Sequence, residues 1–403
     1  MIKPPLRDHP LARSPLADRA SAFLGRAWDR GWLPEPSLDP DELWQAARKR
    51  HGPRADTAEH AGRSAEDVSD FRERLERLAA SVRDEAALNP LGKTMAWGQL
   101  SRAVSNRLAL GALWAERPAL LETALAPPIL VIGHMRSGTT RIHRLLAADP
   151  AHAHTRYCDA FHPAETSIWA RRAKSAAELA MLGALNPWLQ AIHPMGASAP
   201  EEELGWISAA LHHSIYETQW HIRSFSAWSE ARDPAPIYRE FARILGTDAA
   251  LRGNASLPRV MKVPAFAEDL PVLLDRFPEA RVVIAERDLE AVHRSAVSLS
   301  ANQMAVQSDE CDLARIEALW HHKIALREKR LASALADWSG KTARLSFASL
   351  NEDWESAIAS AYGQLGLDFT PRALAAMRAQ MAASATGRHR DHAAQLARFG
   401  TGG

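Results

Sequence analysis

Residues Gly133-His134-Met135-Arg136-Ser137-Gly138-Thr139-Thr140 follow the apolar run Ile129-Leu130-Val131-Ile132 and open a helix-like stretch, Thr139–Ala148. A strand, a tight glycine turn and a helix N-terminus in that order aim several backbone N–H groups at one point, where the helix dipole favours an anion. The spacing Gly133-x4-Gly138 matches a Walker A loop, with Thr140 in the Ser/Thr place and Thr139 where that loop has its lysine. ATPases and kinases use that lysine with Mg²⁺ to reach a γ-phosphate. Here Arg136 supplies the charge from inside the loop. A ligand ending in sulfate or phosphate, with no need for Mg²⁺, suits it better.

Further charged groups end other apolar runs. Val282-Val283-Ile284-Ala285-Glu286-Arg287-Asp288 reads as a strand closing on Arg287, with Ser295 eight residues on. An arginine at a strand end and a hydroxyl two turns into the next helix can converge on one phosphate. Arg259-Val260-Met261-Lys262-Val263-Pro264 reads as another strand, with Lys262 near its C-terminal end. A fixed cation there acts where charge develops during a reaction.

Positioning these groups requires a parallel sheet. Apolar runs at 129–132, 260–263, 282–285 and 345–347 are each followed by a helix-like stretch, at 139–148, 265–277, 289–299 and 354–365. That alternation predicts an α/β fold, a P-loop-like parallel sheet flanked by helices. Residues 1–125 read as a helical N-terminal region: 67–88 has one apolar face and stops at Asn89-Pro90, and a second helix covers about 100–113. The α/β core is expected over 126–400. A helical insertion at about 151–255 carries Trp169, Trp188, Trp206, Trp220 and Trp228, expected to pack between helices rather than line a pocket.

Composition narrows the ligand. The 403 residues hold 49 Lys and Arg against 48 Asp and Glu, a net charge of +1, which excludes a general nucleic-acid binder. Any anion site is local, and between Leu130 and Ala148 stand Arg136, Arg141 and Arg144 with no acid. Cys158 and Cys311 are far apart, so a zinc knuckle or disulfide framework is excluded and a reducing cytoplasm is expected. The N-terminus has no apolar signal core, and the longest apolar stretch, Leu179 to Ile192, is broken by Asn186-Pro187, so no membrane span is expected. Without His-Glu-x-x-His or Cys-x-x-Cys, no metal site is expected either.

Arg136-Ser137-Gly138-Thr139-Thr140 after a buried strand resembles the 5′-phosphosulfate loop of sulfotransferases that use 3′-phosphoadenosine 5′-phosphosulfate (PAPS). The arginine before Ser-Gly-Thr-Thr is similar to the bacterial branch and to tyrosylprotein-type enzymes. The resemblance implies that these five residues hold the 5′-phosphosulfate. It implies that Arg287 and Ser295, an Arg-Asp-x6-Ser motif, hold the 3′-phosphate, and that Lys262 stabilises charge on the bridging oxygen. Arg388 and Arg390, in Gly387-Arg388-His389-Arg390, resemble a last segment that folds over the 3′-phosphate.

For the general base the resemblance leaves three candidates. Asp159 stands where bacterial relatives carry a glutamate, His193 lies in a His-x-Met…Pro-Glu-Glu stretch that runs on to Pro200-Glu201-Glu202-Glu203, and His162 follows Asp159 closely. The reading is a PAPS-dependent sulfotransferase acting on a small-molecule hydroxyl acceptor, with no metal required. A P-loop kinase or NTPase, and a non-catalytic nucleotide-binding relative, stand as alternatives.

Overall fold

A computed structural model describes residues 7–384, so Arg388 and Arg390 lie outside the described residues. Five strands form one sheet: β1 (Ile129–Ile132), β2 (Ala153–His154), β3 (Arg259–Met261), β4 (Arg281–Glu286) and β5 (Thr342–Ser346). Their order is β2-β3-β1-β4-β5, and every pairing is parallel. β1 is central, with Ile129 opposite Val260 of β3 and Ile132 opposite Ile284 of β4.

The apolar runs are continuous because helices cover both faces of the sheet. Side chains alternate along a strand, so Leu130 and Ile132 pack with Phe241, Ile244 and Phe266 on one side. Ile129 and Val131 pack with Ile142, Leu145 and Tyr362 on the other. All four β1 residues are fully buried. A rigid strand therefore delivers the glycine loop.

The helix-like stretches 139–148 and 354–365 form helices with those bounds, Thr139–Ala148 and Trp354–Leu365. Elsewhere the limits move. The helix expected over 67–88 spans Ala65–Glu85 and ends ahead of Asn89-Pro90, but the second helix is longer than the expected 100–113. Asn89-Pro90 starts that helix, Pro90–Glu116, in which Asn89 caps the Gly92 amide at 2.8 Å and Pro90 occupies the first turn. Proline is tolerated there because that N–H would have no helical partner anyway. The helix Leu289–Gln307 runs well past 299, through the buried polar residues Ser300 and Asn302. Trp320 donates to Ser300 at 2.8 Å, which compensates part of that burial. β2, two residues long, has no readable alternation of its own.

The N-terminal helices share a core with the insertion, where Leu75, Leu100 and Leu108 cluster with Tyr216, Trp220 and Phe225. Helix Ile168–Leu185 of the insertion lies over the body with Trp169 75% exposed and Met181 62% exposed. Among the described residues no helix is long and apolar enough to cross a membrane.

Gly111, on the helix Pro90–Glu116, allows the closest approach between N-terminal helices: a Cβ there would lie 1.7 Å from the Ala58 carbonyl oxygen. Gly111→Ala is expected to lower unfolding free energy by about 1–3 kcal/mol through overpacking. Urea denaturation checks this, and an unchanged midpoint would mean that the helices part without cost.

Candidate active site

β1 runs into Gly133, whose φ of 155° and crowded surroundings leave no room for a side chain: a Cβ would lie 2.9 Å from both the Ala285 carbonyl oxygen and Ser137 Oγ. Ser137 closes the turn by donating from Oγ to the His134 carbonyl at 2.7 Å. Gly138, with φ 96°, precedes the helix Thr139–Ala148. The first amides of that helix have no helical acceptor and are left for a ligand. Arg136 holds a left-handed backbone, φ 71°, unusual for a residue with a side chain and a form of strain that clusters at functional sites.

The Arg136 side chain turns inward. Its Nε donates to Ser295 Oγ at 2.9 Å and its Nη1 to the Ile192 carbonyl at 2.8 Å. Burial, then the charge of Arg287, pushes this guanidinium down to about 10. Arg287, just past the end of β4, donates from Nη1 to the Arg136 carbonyl at 2.7 Å. Its guanidinium lies over the Phe347 ring, 4.2 Å from the centroid. The structure therefore brings Arg136, Arg287 and Ser295 together, although Ser295 is held by Arg136 rather than by Arg287. Phe347 was not singled out in the sequence. Its only signal is an aromatic residue at the end of the last strand.

Lys262 arrives at the same edge of the sheet just beyond β3. Its Nζ donates to Thr140 Oγ1 at 3.3 Å and pairs with Glu202. Three consecutive glutamates divide the surrounding work. Glu201 accepts from the Glu202 amide at 3.1 Å and pairs with His193 Nε2 at 3.0 Å. Burial opposes its ionised form, but the charges of His193 and Lys262 and the hydrogen bonds outweigh it and bring Glu201 down to about 2. Glu202 faces the Lys262 ammonium. Glu203 accepts the Lys262 amide at 2.9 Å, and burial pushes its carboxyl up to about 7. Ligand atoms of His193, Glu201 and Glu202 lie within 4.8 Å of one another, a set able to take a cation, and the cation Glu202 faces is Lys262.

A cavity of about 460 Å³ opens beside these groups, with Arg136, Thr139, Thr140, His193, Glu202 and Lys262 in its wall. None of the five insertion tryptophans lines that wall, as expected, and the tryptophan that does is Trp320. Arg144 donates to the Pro194 carbonyl at 2.6 Å, which ties the His193 segment to the loop helix.

Asp159 is not among the cavity's lining residues. Fully buried, it accepts from Arg156 Nε at 2.7 Å and Arg171 Nη1 at 3.0 Å, and Arg252 lies 3.2 Å away. Burial works against this carboxylate, but the hydrogen bond from Arg156 and the charges of Arg252, Arg156 and Arg171 hold it well below the ordinary range. A carboxylate so engaged is a poor proton acceptor, which weighs against the base expected at this position. His162 instead faces Glu178 at 3.3 Å. Glu202, inside the Pro-Glu-Glu-Glu stretch, is the carboxylate in contact with the loop's own cation partner. The signal for it was the run of acids itself, which does not say which one faces the cleft.

A profile of the sulfotransferase family matches residues 127–371. Sulfotransferase STF1 from Mycobacterium tuberculosis H37Rv superposes with a TM-score of 0.75 at 26% identity, covering 91% of this chain and 99% of that one. Sulfotransferase STF9 from Mycobacterium avium does so with a TM-score of 0.72 at 20% identity over 86% and 88%, a likeness of fold. No curated protein matches the chain.

The Asp159 cluster is testable apart from any chemistry. Removing the carboxylate strands buried guanidinium groups, so Asp159→Ala should cost about 3–5 kcal/mol of stability. Because the folded carboxyl titrates below its unfolded value of about 3.9, its contribution is present above that pH and is lost as pH falls through the folded value. The gap between wild type and Asp159→Asn in chemical denaturation should therefore shrink below about pH 4. Full stability with lost turnover would return Asp159 to the list of bases.

Proposed function

This chain belongs to the sulfotransferase family, and we propose that it moves the sulfuryl group of PAPS to a hydroxyl of a small-molecule acceptor. The observation that carries the donor's identity is the pair Arg136 and Arg287. Neither makes an ion pair with a carboxylate among the described residues, and they meet beside a helix N-terminus. Two unpaired cations and a glycine cradle fit a ligand with two anionic ends.

In this reading Arg136, Ser137, Gly138, Thr139 and Thr140 hold the 5′-phosphosulfate, and Arg287 with Ser295 holds the 3′-phosphate. Bound there, PAPS supplies an activated sulfuryl group whose leaving partner is 3′-phosphoadenosine 5′-phosphate. Lys262, fixed through its own amide by Glu203 and through Nζ by Thr140, stabilises negative charge at the loop. A carboxylate oxygen of Glu202 takes the proton of the incoming hydroxyl, and the apolar wall behind it excludes water. A second reading gives that proton to His193, favoured by its place in the same cavity wall. Two free cysteines, Cys158 and Cys311, support a reducing, cytoplasmic setting.

Thermal shift separates the donor classes. 3′-Phosphoadenosine 5′-phosphate should stabilise the protein by mass action, more than ADP or AMP and independently of Mg²⁺. Mg²⁺-dependent stabilisation by ATP or ADP, indifferent to a 3′-phosphate, would make the protein a kinase or NTPase instead. Arg287→Ala should weaken binding of that nucleotide by about 10- to 100-fold, the size of a charged hydrogen bond. Unchanged affinity would sink the assignment.

Glu202→Gln should lower turnover by about 10²- to 10⁴-fold, the range for a general base, and leave nucleotide affinity intact. If His193→Gln shows that loss and Glu202→Gln does not, the proton belongs to His193. If both variants bind nucleotide and turn over normally, neither residue is the base.

A further inference from the structure

The cavity runs along one helix. Leu299, Gln303, Val306 and Gln307 of helix Leu289–Gln307 all face it, spaced as one side of a helix requires. Ser295, earlier on the same helix, bonds Arg136. The twelve residue steps from Ser295 to Gln307 span about 18 Å at 1.5 Å each. The cavity thus extends from the glycine loop towards a second, distant end.

That end is built of amides. Gln99 and Gln219 exchange side-chain hydrogen bonds, at 3.0 Å and 3.3 Å. Gln307 Nε2 donates to Gln219 Oε1 at 3.4 Å, and Gln307 Oε1 accepts from Trp220 Nε1 at 2.8 Å. The orientation is pinned at both edges: the indole of Trp220 only donates, and the Ile215 carbonyl, which takes Gln219 Nε2 at 3.2 Å, only accepts. Each primary amide has two N–H groups. Gln99 Nε2 and Gln307 Nε2 each keep one without a partner among the described residues, in side chains that line the cavity.

The wall between the two ends is apolar and adaptable. It includes Met95, Met135, Met181 and Met195, four of the chain's nine methionines, whose flexible thioethers fit varied shapes. The lining charges away from the loop are already compensated: Arg102 pairs with Glu178 at 2.7 Å, and Arg327 with Glu268 at 2.7 Å. A charged molecule would find no free counter-charge there. Polar side chains such as Thr94, Asn186 and Gln303 are few beside the apolar ones in that wall, so a sugar would leave most of its hydroxyls against methionine and leucine. The volume, about 460 Å³, falls in the range of roughly 300–1,000 Å³ that holds drug-sized ligands.

We propose that the acceptor is a neutral, extended, mostly apolar alcohol that carries a second neutral oxygen at its far end, held by the spare N–H groups of Gln99 and Gln307. The class of acceptor rests on the sulfuryl-transfer reading, whereas the recognition it describes is a binding property of the cavity. The apolar body fills the methionine wall, the reacting hydroxyl lies at Glu202 and Lys262, and the far oxygen fixes which end enters first.

Equilibrium dialysis on the full chain, with and without 3′-phosphoadenosine 5′-phosphate, tests it. The probes are a rigid fused-ring secondary alcohol with a ketone at the opposite end, the same alcohol without the ketone, 4-nitrophenol and a hexose. The keto-alcohol should bind about tenfold more tightly than its ketone-free analogue, the value of one hydrogen bond, and both more tightly than the phenol or hexose. Gln99→Leu should cut that preference several-fold and leave the ketone-free alcohol unaffected, and an undiminished preference would overturn the role of Gln99. Equal binding of the two alcohols to wild type, or a preference for the hexose, overturns the proposal even where the nucleotide binds. Loss of nucleotide binding with the alcohol preference intact would strike the sulfuryl-transfer reading and leave the cavity's specificity standing.

Discussion

The uncompensated charge of Arg136 is the constraint on which the site depends. A guanidinium withdrawn from water is costly unless paired, and several buried cations of this chain meet carboxylates. Arg63 meets Glu240 at 2.7 Å, Arg74 meets Asp70 at 2.7 Å, and Lys323 meets Glu268 at 2.8 Å. Arg136 receives only neutral oxygens, from Ser295 and Ile192, and a like charge from Arg287 nearby. Its backbone is held in a left-handed turn as well. Such an arrangement persists only where the surroundings over-determine it. The buried β1 strand, Gly133, Gly138 and the adjoining helix do so, and an arriving anion would relieve the charge they hold in place.

Parallel strands turn that local arrangement into a site. Because β3, β1 and β4 are neighbours running in one direction, their C-terminal ends lie on one edge of the sheet. Lys262, the glycine loop and Arg287 are therefore neighbours although they lie far apart in the chain. Ligands of open parallel sheets bind at this kind of crevice. The insertion closes it from the side with His193 and the three glutamates. Each glutamate has its own partner: His193 for Glu201, the Lys262 ammonium for Glu202 and the Lys262 amide for Glu203.

Much of this was legible from residue order. The run Ile129–Ile132 reads as a doubly covered strand, and glycine spacing with Thr139 in the lysine place already points away from ATP chemistry. What escaped was whatever depends on distant partners. Asn89-Pro90 reads as the stop of one helix, but that it also starts the next shows only in the capped Gly92 amide. Asp159 looks like a base until Arg252, far away in sequence, joins Arg156 and Arg171 around it. Glu202 cannot be told from Glu201 or Glu203 by type. The glutamine relay is invisible for the same reason, since Gln99, Gln219 and Gln307 meet only in the fold.

Phe347 has one more consequence. Its ring supports the Arg287 guanidinium on one side and stands where a Cβ on Gly138 would meet it at 2.9 Å. Arg287 and the glycine turn therefore share one rigid neighbour, the residue that follows the last strand. A change at residue 347 would be felt by a cation and by a backbone turn at once, as one keystone steadies two arms of an arch.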